Sequence, residues 1–424
     1  MRARNLSPLL WIVAAYSLSA AAASESSLKP VLVTVDLAMI RKEVRAYVDS
    51  LQVPDKPYGC YRDKQDKVPS LYATCDVAII RTIMGEDLRT TLTDKQRREW
   101  IDHINSFASQ DGTYRGGRRQ HSLEHANGMV VGALGPLGGK QKYPVRLYSS
   151  FDTVEKVGPW LEKIDWRNQW SGSHLFWGGV HCFSCSARSS QAWREAVFAW
   201  LDGHLDPNTG WWRRGVPQAR PGIDGLGGGA HIWPIYQHHR HRSPYPERVI
   251  DSILAMQKPD GCWLQYTNYL ELDALYGLAY MKSLASDYRK EDIARAVAKH
   301  GEGLTKVFPD FLRRDPDAHL LLGAVGAFGL LNQMMPQTYV DSVSWTDIFS
   351  DPRLYQTRAV EVLTAEKVGT PSLCRYPASG YGRSVIVCSR LTSYVVPRQA
   401  IFGSPNPRNT RNRADWARSS PSRG

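Results

Sequence analysis

Polar and apolar residues alternate along this chain in blocks of helix length. Six stretches are apolar on nearly every face and rich in Ala and Gly: 72–84, 121–137, 174–188, 228–236, 269–281 and 317–334. Their starts recur every 40 to 55 residues. Between them lie amphipathic stretches such as 94–109, 191–205, 246–257 and 291–307. A helix that is apolar all round is buried all round, and an amphipathic one covers it. Strand-like alternation is rare before residue 380. Six such pairs at a period near fifty predict an all-α fold, an (α/α)6 toroid or barrel of six inner and six outer helices. Two stacked helical bundles are the alternative.

The turns follow one formula. Gln110-Asp111-Gly112-Thr113-Tyr114 closes one amphipathic stretch. Asp206-Pro207-Asn208-Thr209-Gly210-Trp211-Trp212 closes another, and Gln257-Lys258-Pro259-Asp260-Gly261-Cys262-Trp263 a third. Glycine supplies the left-handed residue that ends a helix. Gln can bind the freed backbone groups, and the aromatic packs back onto the helix. These turns resemble the glutamine–tryptophan repeats of terpenoid cyclases and protein prenyltransferases. Similar turns occur in secreted α/α-toroid enzymes that act on glycans. The resemblance implies a fold more than an activity.

Composition changes the picture in three places. Arg2 and Arg4, the apolar run 9–18 and Ala21-Ala22-Ala23 read as a signal peptide over 1–23, so the product is expected to be secreted or periplasmic. No apolar run of membrane-spanning length follows, so no integral segment is expected after its removal. The net charge of +12 is concentrated in the tail: residues 367–424 carry ten Lys/Arg against the single acid Asp415. Such a tail gives no reason to expect a nucleic-acid partner for the core. The domain reading is a toroid over 24–366 and a basic Ser/Pro/Arg-rich tail over 367–424, partly disordered, with a short hairpin possible over 381–396. Seven cysteines are too few for a disulfide scaffold. Cys182 and Cys185 form a CxxC without a second ligand pair nearby in sequence, so they read as buried thiols. The run His238-His239-Arg240-His241-Arg242 reads as a solvated basic loop. No metal and no cofactor is expected.

In a ring of helix pairs, the loops that enter the apolar helices open on one face. Residues at that phase therefore converge. They are Tyr72, Cys75 and Asp76; Arg115, Arg118, His121 and His125; His174, Trp177 and His181; His231, Trp233 and Tyr236; Tyr266, Asn268, Tyr269, Glu271 and Asp273; and Asp315, Asp317 and His319. Many have ordinary explanations: Asp317 suits a helix cap, and Trp177 and Trp233 suit packing. Yet polar groups recur at the same phase in all six repeats, and burying ionisable groups costs free energy unless they are paired or used.

Asn168-Gln169-Trp170-Ser171-Gly172-Ser173-His174-Leu175-Phe176-Trp177 resembles the Asn-Asn-His-x-x-Trp neighbourhood of alginate-lyase-type toroids. That family uses His as base, Asn to neutralise a uronate carboxylate and Tyr as acid. His174 and Trp177 match; Gly172 and Ser173 stand where the family has Asn, and Arg115, Arg118 or Asn168 would have to compensate. The expected function is thus cleavage of a poly- or oligosaccharide by acid–base catalysis, with a lyase favoured over a hydrolase or epimerase. His174, His231, Tyr269 and Glu271 are the expected catalytic residues, with Tyr236 a second possible acid. Asp76, Arg115, His121, His125, Trp177, Trp233, Asp273, Asp317 and His319 are the expected substrate contacts. Hydrolysis would require two carboxylates across the cleft, drawn from Asp76, Glu271, Asp273 and Asp317. The alternatives are a cyclase-like enzyme on an isoprenoid, for which the Asp-x-Asp-Asp acid motif is missing, and a toroid that binds a glycan or protein without turnover.

Overall fold

The computed structural model describes residues 34–116 and 121–362. The signal peptide, Arg118, the basic tail and the 381–396 hairpin expectation lie outside the described residues. Helix dominates, and the strands among the described residues form one two-residue parallel pair, Val35–Asp36 against Tyr339–Val340. No helix among the described residues is long and apolar enough to cross a membrane.

Six apolar segments form the centre. They are Leu71–Ile83, Leu123–Leu137, a broken third segment, Ile223–His238, Tyr269–Leu284 and Ala318–Met334. The third consists of Gln169–Gly172, a π-helical stretch Phe176–His181 and Cys182–Ser184. Each packs on the next in chain order, and the sixth packs back onto the first. Every residue of the first is buried. An amphipathic helix precedes each of them in sequence: Leu37–Ser50, Asp94–Ser106, Val154–Leu161, Gln191–Gly203, Pro246–Met256 and Lys290–Arg313. The first and third of these escaped the sequence reading.

Local chemistry sets the ends. Ser70, Ser122, Ser190, Asn268 and Asp317 each accept a backbone N–H at the start of the helix that follows. Thr93 and Gln96 close a reciprocal capping box. Gly112, Gly210 and Gly261 are left-handed, with φ of 75°, 73° and 102°, but they lie in the turns beyond the helix ends, which are capped by Phe107, His204 and Gln257 instead. The aromatics do more than pack. Trp212 Nε1 donates to the Leu201 carbonyl and Trp263 Nε1 to that of Ile253, 2.9 and 2.8 Å away. Trp166 does the same for Leu161 at 2.9 Å. Each reaches back to a carbonyl in the last turns of the preceding amphipathic helix. Gln257 bonds the carbonyls of Gly261 and Ala296, tying its turn to the next helix.

The second and third segments approach each other very closely. A Cβ at Gly178 would sit 1.6 Å from the Glu124 carbonyl oxygen. One at Gly128 would meet the Trp177 ring at 2.5 Å. The backbones of the second and third segments touch through these two glycines. The π-helical turn, a widening often found at functional sites, carries Trp177 through that contact.

Candidate active site

Five histidines and two tyrosines meet where the apolar helices begin. The His121 ring lies 4.7 Å from His125 and 4.8 Å from His174. His125 lies 4.7 Å from His174, and His174 lies 4.9 Å from His231. His319 approaches His121 and His125 at 5.5 and 5.6 Å. Tyr72 stacks on His125 at 5.6 Å, and Tyr269 lies 4.7 Å from His319. Trp177 closes one side, 5.3 Å from His125. His121 is exposed, His174, His319 and Tyr269 are half-buried, and His125, His231, Tyr72 and Asp76 are buried. The cluster therefore has an open rim and a buried floor.

Hydrogen bonds assign several protons. The Tyr72 hydroxyl accepts from the His121 backbone N–H at 3.3 Å and shares a hydrogen bond of 2.8 Å with His125 Nδ1. Ser173 Oγ donates to the Trp170 carbonyl at 3.1 Å and lies 2.8 Å from His231 Nδ1. Its single proton is then committed, so His231 carries hydrogen on Nδ1 and a lone pair on Nε2. His319 Nδ1 lies 3.0 Å from Asp76 Oδ1 and 3.3 Å from the Tyr269 hydroxyl.

Burial and neighbouring histidines push most of these imidazoles toward neutrality. Burial is the main cause throughout. His121 falls to about 4 and His231 to about 3. His125 and His174 fall well below the ordinary value. His319 differs. Burial would lower it, but the charge and hydrogen bond of Asp76 raise it above the usual imidazole range. Burial pushes Asp76 up to about 6, against the pull of His319. Tyr269 is buried enough to hold its phenolic proton firmly. One imidazole thus favours its cation more than an ordinary histidine does, among others that favour the neutral form.

Of the expected site residues, His174, His231, Tyr269, Asp76, His121, His125, Trp177 and His319 come together. The others are engaged differently. Glu271 accepts the backbone N–H groups of Trp263, Leu264 and Gln265 at 2.6–3.1 Å and lies 3.2 Å from His300 Nδ1. It shapes the loop that enters the fifth apolar helix. Trp233 is wholly buried between Trp211 and Tyr276, at 6.0 and 6.3 Å. Asp273 is buried, and burial and the nearby Glu271 push its pKa well above the usual carboxylate range. Asp317 caps the sixth apolar helix through the Leu320 N–H at 2.8 Å. Arg115 is exposed. Asn168 donates to Asp165 at 2.8 Å within a turn. Tyr236 donates to Asp202 at 2.7 Å.

Sequence reading undervalued Ser173, noted only as a departure from Asn, and Tyr72. It also misread the 238–242 run. His238 and His239 are half-buried, and His241 stacks on Phe198 at 4.0 Å and pairs with Asp202 at 2.8 Å. Only Arg240 and Arg242 face solvent there. The last turn of a buried helix turns some side chains inward whatever the composition of the run. No protein-family model, curated protein or solved structure matches this chain.

Proposed function

We propose that the chain is a secreted (α/α)6 toroid enzyme that cleaves a uronate-containing polysaccharide by β-elimination at the histidine cluster. The cyclic packing of six apolar helices supports the toroid. The observation that carries the reaction is the convergence of His174, His231, His319 and Tyr269, with Asp76 bonded to His319; burial lowers the pKa of His174 and His231, and Asp76 raises that of His319. A neutral imidazole takes the proton at C5, and a phenol returns one to the leaving oxygen. His319, held cationic by Asp76, supplies the charge that a uronate carboxylate requires and that Gly172 and Ser173 cannot. His174, half-buried at the rim, is the preferred base, and His231 the preferred residue to orient it.

The test is to incubate the protein with uronate-containing and neutral polysaccharides, following reducing ends and the ultraviolet absorbance of an unsaturated product together. Both should rise on a uronate polymer and disappear in His174→Ala and Tyr269→Phe. Reducing ends without absorbance would replace elimination with hydrolysis. Silence from folded protein would favour binding without turnover, or an isoprenoid substrate.

A second reading follows from the donors. Ligand atoms of His121, His125 and His319 lie within 4.8 Å of one another, and Asp76 backs His319 as carboxylates back metal-bound histidines. A metal ion here would serve as the Lewis acid for a glycan or another substrate. Loss of turnover on chelation, restored by a divalent ion, would select this reading.

A further inference from the structure

The same two helices that bring His174 to His231 bring a second pair together. His181 and His238 each follow the first pair by seven residues. Two turns later on the same seam, they stand about 10 Å further along it. His181 Nε2 lies 3.1 Å from His238 Nδ1. Cys185, one turn beyond His181, places its Sγ 4.0 Å from the former and 3.9 Å from the latter. The Tyr355 ring wedges against both imidazoles, 4.6 Å from His181 and 4.4 Å from His238. Its hydroxyl donates to the Ile348 carbonyl, so it encloses the cluster without competing as a donor.

We propose that His181, Cys185 and His238 form a binding site for a zinc-class divalent transition metal, separate from the histidine cluster at the mouth. Zinc bonds thiolate at about 2.3 Å and imidazole nitrogen at about 2.0–2.1 Å in a tetrahedron. Those lengths put neighbouring ligand atoms about 3.3–3.6 Å apart, so the three observed separations need shifts of only a few tenths of an ångström. One thiolate and two neutral imidazoles suit zinc or cobalt(II) over calcium or magnesium, which take oxygen ligands. Three protein donors leave a fourth position. Burial pushes the Cys185 thiol up to about 11, with Ser184, Arg358 and Arg194 pulling the other way, so the metal must displace the thiol proton as it binds. The two arginines favour an anionic fourth ligand over a neutral one. The sequence concealed the site because a CxxC normally looks for its second ligand pair in the same stretch. Here one partner precedes the motif and the other arrives 53 residues after Cys185.

The test is titration of the full-length, metal-free protein with Co²⁺ alone, followed by competition with Zn²⁺. A sulfur-to-cobalt charge-transfer band should appear in the near ultraviolet and vanish as zinc displaces cobalt. Cys185→Ser should abolish the band, and His181→Ala or His238→Ala should weaken binding at least about tenfold. His125→Ala should leave the band intact, which separates this site from the mouth. Absence of the band, or its survival in Cys185→Ser, would overturn the proposal and leave the two imidazoles joined by an ordinary N–H···N bond. Should these variants not fold, zinc protection of Cys185 from alkylation in the unmodified protein, mapped by peptide mass, decides the matter: equal labelling with and without zinc refutes the site.

Discussion

Ser173 Oγ lies 2.8 Å from Nδ1 of His231, and its own proton goes to the Trp170 carbonyl. One serine therefore selects the tautomer of a buried imidazole on the neighbouring helix. Ser173→Ala should leave the fold intact and lower turnover about tenfold, with substrate affinity little changed. Steady-state kinetics would show a fall in kcat. An unchanged kcat would remove His231 from the proton path.

The Asp76–His319 pair predicts the shape of the pH profile. On the proposed reading activity needs His319 cationic and His174 neutral. His319 has a raised pKa, so activity persists above the ordinary imidazole range and falls as pH rises through that value. His174 has a strongly lowered pKa, so the acid limb lies well below the ordinary range. Asp76→Asn removes the charge that raises His319, and burial then dominates. The alkaline limb should move to lower pH, while the acid limb stays. An alkaline limb that does not move would mean His319 carries no essential charge.

Glu271 should behave as a structural residue. Its carboxylate collects three backbone N–H donors at the loop before the fifth apolar helix. Glu271→Gln replaces one acceptor oxygen with a donor facing those donors. The expected cost is about 2–3 kcal/mol in chemical denaturation, with kcat of the folded protein retained. Normal stability with lost turnover would return Glu271 to the catalytic group.

Gly178→Ala should be among the most damaging small substitutions. The added methyl would occupy the position of the Glu124 carbonyl, so the two helices must part. A loss of about 3 kcal/mol is expected. Gly203→Ala is the control, since a Cβ there meets nothing within 4 Å. Its denaturation midpoint should be unchanged or slightly raised. Equal effects at the two positions would contradict the close backbone contact.

The periodic elements were legible because burial dictates composition. The first, second, fifth and sixth apolar helices start within a few residues of where the pattern places them. The helices Leu37–Ser50 and Val154–Leu161 were not, since the first departs from the turn formula and the second is short and contains Pro159. At the site, phase along the repeat collected eight residues that the fold brings together, because equivalent positions of packed helices converge. Phase could not sort them by partner. Glu271 and Tyr269 sit two residues apart, yet two residues of helix rotate a side chain by more than half a turn, and one faces the mouth while the other faces its own entry loop. Phase also sets His181 at the mouth with His174, whereas seven residues of helix carry it away from there to His238, 3.1 Å off, and the run that holds His238 reads as solvated.

The contact of the sixth apolar helix with the first has a bearing on biosynthesis. Arg41 pairs with Asp341, 300 residues later, through two bonds of 2.9 Å, and Val35 pairs with Tyr339 beside it. A chain emerging from the ribosome makes Leu71–Ile83 early, but that helix gains its second neighbour only when Ala318–Met334 has been synthesised. Until then an apolar face stays uncovered, and closing so long a loop is slow. The nascent protein is thus most prone to aggregate just before its last repeat appears.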